Sequence, residues 1–169
     1  MTDEVDHLVA AWRRERPDLD VTPLEVLSRV SRLARHLDLA RRAAFNAVGL
    51  ETWEFDVLAA LRRAGDPYTL SPGQLGGQTL VTSGTMTNRV DRLESRGLVR
   101  RERDPADRRG VSVVLTDEGK REVDSALTDL LERERAILAS LPVARQHALA
   151  ASLRTLVSEF DAADSQSSG

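Results

Sequence analysis

Ser71-Pro72-Gly73-Gln74-Leu75-Gly76-Gly77-Gln78-Thr79-Leu80-Val81-Thr82-Ser83-Gly84-Thr85-Met86-Thr87-Asn88-Arg89-Val90-Asp91-Arg92-Leu93-Glu94-Ser95-Arg96-Gly97 decides the fold. A serine cap, a proline in the first helical position and a glutamine at the third start a helix. Gly76-Gly77 is expected to weaken and end it. Thr82 starts a second helix in which Met86, Val90 and Leu93 fall on one inward stripe, and Gly97 stands where a C-terminal glycine closes it. Residues 98–103 and 111–115 are rich in β-branched side chains and flank the loop Asp104-Pro105-Ala106-Asp107-Arg108-Arg109-Gly110, which predicts a hairpin. Two short helices followed by an arginine-tipped hairpin are the sequence form of a winged helix-turn-helix, a device for holding duplex DNA.

With that stripe turned inward, Gly84, Thr85, Asn88, Asp91, Arg92 and Ser95 face outward, and Ser83 and Thr87 lie on the flanks. Such a surface suits a major groove. Gly84 lets the backbone approach, Thr82, Ser83, Thr85, Thr87 and Asn88 offer donors and acceptors to base edges, and Arg92 can reach phosphate or guanine. Taken alone, this helix also fits an ordinary solvated face; the hairpin turns the reading toward DNA. Arg108 and Arg109 at its tip suit a narrow minor groove. Asp104 and Asp107 would repel phosphate, so their expected work is to bond turn amides and hold the arginines.

The chain carries a net charge of −3 and a pI near 5.7, so it is not a generally basic protein. Yet residues 89–109 hold eight arginines against five acids. A local positive surface on an acidic body steers DNA while limiting non-specific adhesion.

Outside this region, Thr22-Pro23-Leu24-Glu25 reads as a capping box opening a long helix with Leu24, Leu27, Val30, Leu33, Ala34, Leu37 and Ala44 along one side. Residues 117–139 carry Val123, Leu127, Leu130, Leu131, Ala136, Ile137 and Leu138. Pro142 starts a last helix with Val143, Leu149, Leu153, Leu156, Val157 and Phe160. These faces exceed what a small DNA-reading domain can cover, so a homodimer is the economical arrangement, a monomeric helical cap being the alternative. The expected fold class is mainly α with a small β-hairpin (α+β). It divides into N-terminal helices (1–50), a winged helix-turn-helix (51–116), C-terminal dimerisation helices (117–162) and a flexible tail (163–169). A two-fold pair of recognition helices would read a pseudo-palindromic operator with half-site centres about one helical turn apart.

At 169 residues, 41% of them hydrophobic and 30% charged, one protomer with a helical dimerisation part fits and a multi-domain enzyme does not. Thr82-Ser83-Gly84-Thr85 lacks a P-loop lysine and the glycine spacing of a nucleophile elbow. There is no cysteine, hence no thiol switch. His7, His36 and His147 lie far apart without carboxylates at ligand spacing, so neither a metal nor a cofactor is expected. No apolar run approaches the roughly 20 residues of a membrane span, and the start lacks a secretory signal. A cytoplasmic location is the expectation.

Residues 75–115, with Thr87-Asn88-Arg89-Val90-Asp91-Arg92-Leu93-Glu94-Ser95-Arg96-Gly97-Leu98-Val99, Asp104-Pro105-Ala106-Asp107-Arg108-Arg109 and then Leu115-Thr116-Asp117-Glu118-Gly119, resemble the MarR family of bacterial transcription regulators. The resemblance implies an obligate homodimer, a recognition helix at 82–96, Arg109 in the minor groove and repression as the default output. Val5 to Arg16 forms a further amphipathic helix containing Trp12, which plain members lack. Together with Trp12-Arg13-Arg14-Glu15-Arg16 and Glu54-Phe55-Asp56-Val57-Leu58, it is similar to the PecS/HucR subgroup, whose members respond to urate or related anions. That similarity implies a ligand site of Trp12, Asp56, Arg89 and Arg101, with Arg63 matching as well. Asp56 and Arg63, seven residues apart, share a helical face and are expected to pair. Trp12 would stack on a planar anionic metabolite and the arginines would hold its charge; urate, another purine, a tricarboxylate such as citrate or aconitate, and a phenolic acid all fit. A structural salt-bridge network without a ligand, in a ligand-independent regulator or an architectural DNA binder, stays open on these residues.

Overall fold

The computed structural model describes residues 2–103 and 110–167. Among them the order is α1 (Glu4–Glu15), α2 (Thr22–Ala47), α3 (Thr52–Arg63), β1 (Thr69–Leu70), α4 (Pro72–Thr79), α5 (Ser83–Ser95), β2 (Val99–Arg103), β3 (Val111–Leu115), α6 (Asp117–Leu138) and α7 (Val143–Ser167). The mainly helical fold with a small sheet agrees with the expected class. The chain divides into two compact units, 1–130 and 131–169.

In the first unit α3 is the central post. Phe55, Val57, Leu58, Ala59, Ala60 and Leu61 are all buried, which explains why its sequence is apolar on nearly every side. Phe45 of α2 stacks on Phe55 with ring centroids 4.0 Å apart. Met86, Val90 and Leu93 of α5, the expected inward stripe, close the same core together with Leu75, Leu98, Val113 and Val123. The sheet is antiparallel in the order β1-β3-β2. Arg101 stands opposite Val113 in the hairpin, while Thr69 and Leu70 pair with Val114 and Val113. At two residues, β1 is too short for an alternation signal.

Two local expectations are corrected. Gly76-Gly77 does not end α4, which continues to Thr79 and stops because Leu80 turns left-handed (φ 53°, ψ 44°). Gly76 serves packing instead: a Cβ there would lie 3.2 Å from the Val81 carbonyl oxygen. Thr22 does not cap α2. The helix begins one residue earlier than the motif implied, and Asp20 Oδ1 accepts from the Thr22 N–H at 3.0 Å. The Ser71–Gln74 box forms both bonds, at 3.2 and 2.8 Å. Gly97 has φ 72° after the α5 cap.

Within the second unit, the last turns of α6 and the start of α7 are joined by the Gln146 amide, which donates to the Leu138 and Leu141 carbonyls. Val143, Leu156, Val157 and Phe160 are exposed.

Candidate nucleic-acid interface

Helix α5 is positioned from beneath by its three buried apolar residues and at its start by Thr82. The Thr82 hydroxyl accepts from the Thr85 N–H at 3.4 Å and lies 3.0 Å from the Thr85 hydroxyl. Thr82, Ser83, Gly84, Thr85, Thr87, Asn88 and Arg92 are exposed. Nothing lies within 4 Å of where a Gly84 Cβ would be, so the leading turn is open to a close approach. Arg108 and Arg109 fall outside the described residues.

Arg92, expected to reach for DNA, is held against the body of the unit. It donates to Glu51 Oε1 at 2.6 Å and its guanidinium stands 4.7 Å from the Trp53 ring centroid. Arg89 stands over the same ring at 5.4 Å. The Trp53 indole donates to Glu51 Oε2 at 2.7 Å. That bond, then the Arg92 guanidinium, holds the Glu51 carboxyl below the usual carboxylate range. One turn on, Arg96 donates at 2.6 Å to Glu54 Oε2, a carboxylate only 1% exposed. The N-cap and first turn of α3 therefore grip Arg89 and Arg92 of α5 and Arg96 at its C-cap. These partners, far apart in sequence at 41 and 42 residues for the two ion pairs, leave no periodic signal to be read.

The hairpin base is bound to α5 as well. Arg101 donates to Asp91 and to Glu94, at 2.5 and 2.6 Å, and its backbone N–H donates to Glu94 at 2.8 Å. Burial alone would lower the Arg101 pKa, yet the Asp91 and Glu94 bonds raise it. Asp91, an acid on the outward face of α5, thus has an internal partner.

Of the five residues expected at a ligand site, Asp56 and Arg63 share one groove, Arg89 stands near it, and Arg101 and Trp12 lie apart. Asp56 pairs with Arg41 of α2 at 3.3 Å, not with Arg63, because Arg41 reaches it from the facing helix. Asp56 and Arg63 nonetheless line one groove of about 240 Å³ with Gln78, Thr79 and Leu80. Asp56 also borders a second of about 470 Å³ with Arg42, Asn46 and Trp53. Arg89 touches this region through Trp53, whereas Arg101 is engaged by Asp91 and Glu94. Trp12, 48% exposed, lies elsewhere in the protomer: Arg13 beside it meets Glu25 of α2, and Arg41 follows sixteen residues later, about 24 Å along the axis. Trp53 is the aromatic residue bordering an Asp56 groove, and the sequence reading missed it. Among the described residues no cluster of metal-ligating side chains occurs, and no helix is long and apolar enough to cross a membrane.

The "MarR family" model matches residues 48–110, from the end of α2 through the hairpin loop. The HTH-type transcriptional regulator PecS of Dickeya dadantii (strain 3937) is 43% identical over 135 residues, covering 80% of this chain and 81% of that protein. The chain belongs to the MarR family. This MarR-type transcriptional regulator also shares its fold with a MarR family protein from Bacillus stearothermophilus, with a TM-score of 0.72 at 24% identity over 85% of this chain and 99% of that one. BpsR of Bordetella bronchiseptica, whose DNA binding is regulated by 6-hydroxynicotinic acid, matches with a TM-score of 0.57 at 28% identity over 76% of this chain and 92% of that chain.

Proposed function

We propose that this MarR-family protein binds a pseudo-palindromic operator as a homodimer, represses from it, and is released by a small anionic ligand such as urate or a tricarboxylate. The observation that carries the DNA reading is α5: an outward face of hydroxyls, Asn88 and an open Gly84 over three buried apolar residues. The N-terminus of such a helix enters the major groove, with Thr82, Ser83, Gly84, Thr85, Thr87 and Asn88 at base edges and Arg92 at phosphate or guanine. Arg108 and Arg109 extend the contact to the minor groove on the strength of the sequence. A second copy is supported by the uncovered stripe Leu27, Val30 and Leu33 on α2.

The ligand reading rests on the grooves beside Asp56. An anion there would repel the Asp56 carboxylate and draw on Arg63, Arg41 and Arg89. Arg89 rides on α5, so moving it shifts the recognition helix and weakens DNA binding. Arg101 links that shift to the hairpin, and Trp53 offers a planar ligand a face; Trp12 joins the site only if a second copy brings it there. The small planar acid that acts on BpsR supports this class.

A footprint on the promoter next to the protein's own gene tests both parts. The expected result is two protected half-sites about one turn apart, with affinity falling steeply with salt at a log-log slope of several units. Millimolar urate or citrate should release the DNA. A flat salt response overturns the DNA reading; protection unchanged by either compound overturns the ligand class and leaves a ligand-independent regulator.

A further inference from the structure

We infer that Leu80, in the turn ahead of the recognition helix, makes an apolar contact with the 5-methyl group of a thymine at the edge of each half-site. The inference rests on α5 entering the major groove. Leu80 takes a left-handed backbone conformation, φ 53°, which strains a branched side chain and which glycine or asparagine adopts at little cost. Glycines stand three and four residues earlier, at 77 and 76, but not at the position whose backbone asks for one. No packing within the protomer compensates, because Leu80 is 92% exposed. The turn itself is fixed: the Leu80 and Val81 N–H groups both bond to the Gly76 carbonyl, the latter at 3.1 Å. Thr82 then caps α5 directly.

Backbone strain held in a rigid turn clusters at functional sites, and here it presents a large apolar side chain to solvent just ahead of α5. At the leading end of α5 the neighbouring side chains are hydroxyls, which read donors and acceptors. The one apolar feature of a major-groove base edge is the thymine methyl. Leu80 also edges the Asp56 groove, so the test is run without any ligand and reads only the DNA side.

The experiment replaces each thymine of the footprinted operator by uracil in turn, removing the methyl alone, and measures binding of the wild-type protein, Leu80→Ala and Leu80→Asn. One position per half-site should weaken wild-type binding by about fivefold or more and leave both variants unaffected, while Leu80→Asn matches or exceeds the wild type in thermal stability. If no uracil weakens the wild type, or if the same uracil weakens the variants equally, the inference is overturned. A gain in stability for Leu80→Asn with unchanged base preference means strain alone and also overturns it. Absence of protected half-sites defeats the operator reading, which the wild-type footprint reports separately.

Discussion

At the residue scale, the family's motif glycine has a physical cause. Thr116 caps α6 by accepting from the Gly119 N–H at 3.0 Å while its hydroxyl donates to the Gly97 carbonyl at 2.7 Å. This presses the first turn of α6 against the start of β2. A Cβ on Gly119 would stand 2.1 Å from the Leu98 carbonyl oxygen and 2.8 Å from Leu115 Cδ1, and the first of these is backbone that cannot swing aside. Gly119→Ala should therefore destabilise the protein by about 2 kcal/mol, read as a lowered denaturation midpoint at unchanged slope; an unaltered midpoint would show that α6 can slide. Ser71, Thr82 and Gly97 were legible as caps because capping is local. Arg92, Arg96 and Arg101 were legible only as charge, because their partners Glu51, Glu54 and Glu94 are chosen by packing that brings distant turns together.

At the element scale, helices with a regular apolar stripe were readable, and their ends were less so. The end of α4 is set by one strained leucine that no turn rule selects, and β1 exists because β3 has a free edge beside it. Helix α1 is attached differently from α3. Val5 and Val9 pack on Val21 in a small cluster of their own, and Arg29 of α2 binds Asp3 and Asp6 at 2.8 and 2.7 Å. The Asp3 carboxyl lies below its ordinary range chiefly through Arg29; Asp6 does so through the Asp3 backbone N–H and then Arg29. Groups depressed in the folded state add stability that is fully present above the unfolded value, about 4, and is lost as pH falls through the folded values. Below about pH 4, hydrogen-exchange protection of residues 4–15 should fall before that of α3. In Arg29→Ala this early loss should shrink to the part carried by the Asp3–Asp6 capping bonds, since the helix is already loosened at neutral pH; equal pH behaviour of the two proteins would count against the ion-pair clamp.

At the scale of the whole molecule, the uncovered amphipathic faces bear on assembly. Val30 and Leu33 lie on the stripe proposed to meet a second copy and are 39% and 38% exposed. Their joint replacement by glutamate should leave the protomer folded by circular dichroism, because neither side chain is in the buried core. Sedimentation should then give a single-chain mass, and operator affinity should fall at least tenfold as cooperation between half-sites is lost. A variant that sediments like the wild type would place the two-fold contact elsewhere. The proposed ligand site was the least legible part: the sequence offered charges, but only folding could decide that Asp56 faces Arg41 and that an unsuspected indole borders the same groove.

That indole has an optical consequence. Trp53 is one of two tryptophans in the chain and lies under two cations borne by α5, the helix proposed to move. Because indole emission follows the charge around the ring, the protein carries its own unlabelled gauge of helix displacement. Once Trp12 is changed to phenylalanine, the colour of a cuvette under ultraviolet light reports where the recognition helix stands.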